Sequence, residues 1–177
     1  QVCIDPQAEG YDSTECAQFR QSGNSGTFLF GFQLTSNRPE RFGFCEEPNT
    51  SCATKAASVW QRTQESAETA YDRTSACQFT SFVAYEYSAA NNVSNLHRNV
   101  IFRNADVPES PTSYFEQPKR DGLWKEVDER CNQAANDCDV IMIPHNSNLS
   151  NGNLFNREYP LGYTEKEQIE ALKLRQK

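Results

Sequence analysis

Residues 79–88 read FTSFVAYEYS and residues 139–145 read DVIMIPH. The first stretch is aromatic and β-branched, with small residues between, which is the pattern of a β-strand. The second is a short apolar run that ends in Pro144-His145, and it follows a helical stretch directly. A helix leading into a buried strand is the rhythm of an α/β layer. Residues 97–102 (HRNVIF) supply a further strand, joined to the first by the polar turn AANNVSN at 89–95.

Outward from these strands the chain reads as helix. Over residues 56–73, Val59, Thr63, Ala67 and Ala70 recur at three- and four-residue spacing beside Trp60 and Tyr71, with no Gly or Pro in the run. A Pro-containing linker at 104–120 leads to a second helix at 122–135, where Leu123, Val127, Cys131 and Ala134 mark one face. Residues 1–55 are rich in Gly, Ser, Asn, Pro and Cys around one apolar island, TFLFGFQL at 27–34, and are expected to be an irregular, disulfide-stapled excursion. Thr164 and Glu167 form a capping box that opens a charged helix over 164–177. The expected organisation is one domain over 1–177: a Cys-rich insertion at 1–55, an α/β core segment at 56–163 and the C-terminal helix.

The balance of 24 acidic against 17 basic side chains gives a formal charge of -7. A surface built to neutralise nucleic-acid phosphates needs clustered Lys and Arg, so no nucleic-acid partner is expected. No apolar run reaches the roughly 18–20 residues of a membrane span. The N-terminal QVCIDPQAEG carries none of the features of a signal peptide, which a mature or excised chain has already lost.

Seven cysteines in 177 residues, with no C-x-x-C pair, argue for disulfides and an oxidising compartment, periplasmic or secreted. Proximity suggests Cys45–Cys52, Cys131–Cys138 and Cys3–Cys16, out of about 105 ways of drawing three pairs from seven. Cys77 is left over, either as a buried free thiol or with a partner outside these residues.

Two histidines occur, His97 and His145, each at the edge of an expected strand. Strand parity places Phe82, Ala84, Glu86 and Ser88 on one face of 79–88, so Glu86 reads as a carboxylate within an apolar strand. A buried carboxylate is costly unless it is paired, protonated or bound to a metal. Three ligand-type side chains at the ends of three strands would suit Zn, Mn or Fe, and such a divalent ion would activate water and polarise a phosphoryl oxygen. Arg98, Asn99, Asn146 and Asn148 flank these positions and are candidate substrate contacts. In the Asn-rich loop at 146–153 the competing reading is conformational, since Asn tolerates left-handed turn positions. G-x-S-x-G, G-x-x-x-x-G-K-[ST] and G-x-G-x-x-G are all missing, which removes the common serine-hydrolase, P-loop and dinucleotide fingerprints. Asn49, Asn92 and Asn148 each open a short N-x-Ser glycosylation pattern, common by chance in an Asn-rich chain.

Four motifs in order, AYDRTSACQFTSFVAYEYSA, NLHRNVIFRN, LWKEVDERC and DVIMIPHNSNLSNG, resemble a bacterial family known as domain of unknown function 3604, and RPERFGFC at 38–45 fits it too. Its members are longer, typically exported proteins. That family is similar in turn to the polymerase-and-histidinol-phosphatase (PHP) superfamily of metal-dependent phosphoesterases. The resemblance implies part of a PHP-like distorted β/α barrel, with Glu86 as a metal-bridging carboxylate and His97 and His145 as further ligands. It also implies an H-x-H, a T-D-H type and an Asp-x-His motif that this chain lacks, so the remainder of a longer chain becomes an expected partner and the piece alone an incomplete catalyst. The leading expectation is a metal-dependent hydrolase acting on a small-molecule phosphoester. The alternative is a secreted or periplasmic binding or structural module without catalysis.

Overall fold

In the computed structural model, which describes residues 2–46, 52–134 and 136–155 together with 164, 166 and 169, three strands pair in chain order: β1 (Ala84–Tyr87), β2 (Arg98–Phe102) and β3 (Val140–Pro144). All the pairing is antiparallel, with Glu86 opposite Asn99 and Asn99 opposite Ile143. Only residues 88–97 separate β1 from β2, and they hold a single 3-10 turn at Asn91–Val93. A parallel return needs a crossover of a dozen or more residues, so this connection can only close a hairpin. Among the described residues the sheet is this antiparallel trio, and no strands close into a barrel.

The strands at 84–87, 98–102 and 140–144 lie within the stretches read as strands, but their burial differs from the expectation. Val83 and Tyr87 point into the core, as do Val100 and Phe102 of β2. The alternate residues, Phe82, Ile141 and Ile143 among them, face outward, on a side of the sheet that no described element covers. The run DVIMI, expected as a buried strand, is among the described residues an edge strand with one face toward the core and the other exposed. Its alternating burial follows from having β2 on one flank and a helical layer on a single face.

Helix α3 (Cys52–Ala70) and helix α4 (Arg120–Val127) contribute to that core. On α3 the buried positions are Trp60 and Ala67, whereas Val59 is exposed, so the packed face is rotated from the one that the Val59–Thr63 spacing suggested. Trp60 decides it: the ring meets Tyr85 and Phe102 edge-on at 5.8 and 6.0 Å, and its Nε1 donates to Pro108 O at 2.9 Å. An indole buries far more apolar area than a valine and needs a partner for its N–H. On α4 Leu123 and Val127 are fully buried as read, and the chain runs on into a π-helical turn at Asp128–Asn132 that seats Cys131 in the same core.

The N-terminal region corrects the reading of 1–55 as irregular. It holds α1 (Thr14–Gln21) and α2 (Gly23–Leu34), and the apolar island lies within α2. Ser13 caps α1, its hydroxyl accepting from Cys16 N at 3.2 Å. Gly26 lets the two helices touch, since a Cβ there would lie 2.6 Å from Phe19 O. A second small core, Cys3 and Cys16 with Phe30 stacked on Phe42 and next to Phe44, holds the pair in place. Weak intrinsic propensity is overridden here by tertiary packing. The three disulfides are Cys3–Cys16, Cys45–Cys52 and Cys131–Cys138, as proximity suggested, and Cys77 is an exposed free thiol, not a buried one. The C-terminal helix expected over 164–177 lies outside the described residues, apart from Thr164, which is not in a helix, and Lys166 and Ile169, which are helical. No helix among the described residues is long and apolar enough to cross a membrane.

Burial against this core raises the Tyr85 phenol to about 12, with the Thr112 backbone bonds and Arg130 acting the other way. The unfolded phenol titrates near 10, so folding stability is full below that pH and falls as pH rises toward about 12. Denaturant titrations at about pH 9 and about pH 11 should show a loss of about 1 kcal/mol from this group, a component absent from Tyr85→Phe.

Candidate functional site

Glu86 sits in β1 on the outward face, with its side chain 41% exposed. The expectation of a buried charge therefore fails: parity grouped Glu86 correctly with Phe82, Ala84 and Ser88, but that group faces away from the core. What holds the carboxylate is a set of local contacts. Ser88 Oγ donates to Glu86 Oε1 at 3.1 Å, and His97 Nδ1 lies 2.7 Å from the same oxygen. Parity places Ser88 on the Glu86 face without giving it a role; its hydroxyl is a partner of the carboxylate, and the i, i+2 spacing on one strand face is the signal for it.

The hairpin explains the His97 contact. Tyr87 pairs with Arg98, so the next position along brings Ser88 and His97 together at the end of the ladder. On the other flank Arg98 pairs with Pro144, and His145 N donates to His97 O at 3.1 Å just beyond the last register pair. The two imidazoles consequently stand side by side, centroids 6.2 Å apart, and His145 Nε2 reaches within 4.0 Å of Glu86 Oε2. His97 is 24% and His145 37% exposed along the side chain, so water reaches all three groups. The structure thus gathers Glu86, His97 and His145 at one end of one sheet face.

The flanking candidates divide. Asn99 lies opposite Glu86 on the same face and is partly exposed. Asn146 and Asn148 are exposed in the loop after β3, where Asn146 Oδ1 accepts from Asn148 N at 3.0 Å in a local turn. Arg98 does not join them: it points into the core, 3% exposed, so as a substrate contact it is excluded by strand parity. Further along the same loop the asparagines serve the fold. Asn151 takes a positive φ of 51°, and its amide donates to Val93 O and Ser94 Oγ, while the Asn153 amide donates to the same hydroxyl at 3.0 Å.

These donor types fit a borderline divalent ion such as zinc. A carboxylate against one imidazole nitrogen is also how ligating histidines are commonly oriented, the second nitrogen being left to coordinate. The arrangement is not a closed coordination sphere, however, and among the described residues no group of three or more His, Cys, Asp or Glu side chains is placed to hold a metal ion.

A family model described as protein of unknown function (DUF3604) matches residues 5–177. The chain belongs to this family. No curated protein and no solved structure matches it. Within this family member the loop at 146–154 is stitched to the β1–β2 hairpin through Ser94, which is buried and receives both asparagine amides. Ser94→Ala should cost about 1–3 kcal/mol in denaturant unfolding, because it leaves two amide donors without their acceptor in a part-buried place.

Proposed function

We propose that Glu86, His97 and His145 form part of a metal-dependent hydrolase site of the PHP type, acting on a small-molecule phosphoester. The observation that supports this reading is the meeting of one carboxylate on β1 with two imidazoles, one just before β2 and one just after β3, at a water-accessible end of the sheet. In this proposal His97 and His145 offer imidazole nitrogens to a Zn, Mn or Fe ion, and Glu86 either shares it or orients His97 through Nδ1. A bound divalent ion would supply an acidified water and charge stabilisation for a phosphoryl oxygen. The chain's own part is to fix the three groups relative to one another: Ser88 and His97 hold the Glu86 carboxylate, and the His97–His145 backbone bond sets the ring spacing. Asn99, Asn146 and Asn148 are the candidate polar contacts to substrate.

The three disulfides fit an oxidising compartment, and the finer assignment to periplasm or secretion belongs to the same proposal. A barrel completed by the remainder of a longer chain is part of it as well, since the outward sheet face carries Phe82, Ile141 and Ile143 beside the trio. A second reading, a secreted or periplasmic binding or structural module without catalysis, is favoured by the direct 2.7 Å contact that already satisfies His97 with Glu86. Elemental analysis of the disulfide-bonded protein separates the two. The hydrolase reading expects stoichiometric Zn, Mn or Fe, lost in folded Glu86→Gln, His97→Ala and His145→Ala alike. Metal that survives all three substitutions, or no metal in the parent, makes the trio a structural hydrogen-bonded cluster.

A further inference from the structure

Arg98 is a charged side chain in a strand core, which is costly unless its donors are satisfied by well-placed acceptors. Two of those acceptors are backbone carbonyls with a direct bearing on the trio. One guanidinium nitrogen donates to His97 O at 3.1 Å, the same carbonyl that receives His145 N. The other terminal nitrogen donates to Leu154 O at 3.1 Å, and Arg120 of α4 reaches that oxygen as well at 3.5 Å. Leu154 is itself buried in the main core and closes the loop that begins directly after His145. Arg98 therefore grips both ends of the segment 145–154, one through the pairing partner of His145 and the other directly.

From this geometry we infer that Arg98 is a positioning residue: from the buried face of β2 it holds the His145 backbone against His97 and so sets the spacing of the two imidazoles on the opposite face. The inference rests on the proposed metal site for its functional meaning, but its mechanical content is independent of any metal. The two carbonyls are reached from two separate terminal nitrogens of the guanidinium; a lysine ammonium at the same place keeps the charge but has a single nitrogen, and so cannot occupy both donor positions. The Asn95 N to Leu149 O bond and the Ser94 contacts of Asn151 and Asn153 fasten the same loop from the hairpin side, so Arg98 acts on a segment whose other fixings remain in place when it is changed.

Amide hydrogen exchange on the intact, disulfide-bonded chain tests it, with Phe102 N (to Val83 O) and Arg103 N (to Asp139 O) as reporters at the far end of the sheet. In Arg98→Lys the His145 amide should exchange at least about tenfold faster than in the parent, beyond any change at Phe102 and Arg103, because a local opening and not global unfolding is released. Zinc titrated into the same two proteins should bind at least about tenfold more weakly to the variant, as expected when ligand placement is loosened. Equal acceleration at all three amides, or none, would overturn the inference and leave Arg98 as a general core residue. If the parent binds no zinc while the His145 amide is still selectively released, the positioning role stands and the metal reading falls. Should Arg98→Lys fail to fold, the parent decides: a His145 amide protected to within about tenfold of Phe102 supports the clamp, and one exchanging faster than that is a frayed strand end, which overturns it.

Discussion

The pairing of Arg98 with Tyr87 on one side and with Pro144 on the other is the constraint on which the rest of the structure depends. Side chains alternate along a strand, so once this register is set every residue of the three strands is assigned to one of two faces. Val83, Tyr87, Val100 and Phe102 go to the core, and Glu86, His97 and His145 go to the outside together. A one-residue slip of β1 on β2 would turn Glu86 inward and Tyr87 outward, and a one-residue slip of β3 on β2 would take His145 off the face that carries His97. The apolar area at stake on the core side makes such a slip very unfavourable, and the trio is held in register by forces that have nothing to do with its own chemistry.

The core that enforces the register is assembled from distant parts of the chain. Trp60 comes from α3, Leu123 and Val127 from α4, and Cys131 and Cys138 from the disulfide-closed turn that leads into β3. That turn links the end of the helical layer to the start of the edge strand, and β3 then delivers His145. The N-terminal helices have their own small core of phenylalanines around Cys3–Cys16. Tyr114 joins the two regions locally through its hydroxyl, which donates to Ser36 O at 2.8 Å. The trio thus sits on the more heavily packed part of the molecule, with Glu86 on β1 and the two histidines one residue beyond the ends of β2 and β3, where the sheet fixes their backbone.

Much of this was legible from residue pattern. The strand stretches, the helices that contain Trp60 and Leu123 and the three disulfide pairs lie where the pattern puts them, and Glu86, His97 and His145 lie near one another at one end of the sheet. The failures share a cause. Phe82, Ala84, Glu86 and Ser88 were correctly grouped, yet parity names two faces without saying which is inside. The run DVIMI suggests a buried strand, but a run of apolar residues does not reveal how many layers surround it. Residues 1–55 looked irregular because Gly, Ser and Asn are weak helix formers, and the phenylalanine cluster that rescues α2 is made of residues 30, 42 and 44, whose contacts no local window contains. The position of Arg98 next to His97 suggests a substrate contact, but adjacent strand residues point to opposite faces, and the partners of Arg98 lie on the core side.

By itself, then, the amino-acid order determined which residues share a face, where the chain turns, and which cysteines are near enough to pair, because these are consequences of local geometry and short loop closure. Only the tertiary structure decided which face is covered, that β3 pairs with β2 and does so antiparallel, and that Glu86 Oε1 lies 2.7 Å from His97 Nδ1 with His145 beside it. Those outcomes depend on helices packing from one side alone and on a backbone bond between His97 and His145, residues 48 positions apart by number (145 - 97), and contacts over such separations are set by the collective fit of the core.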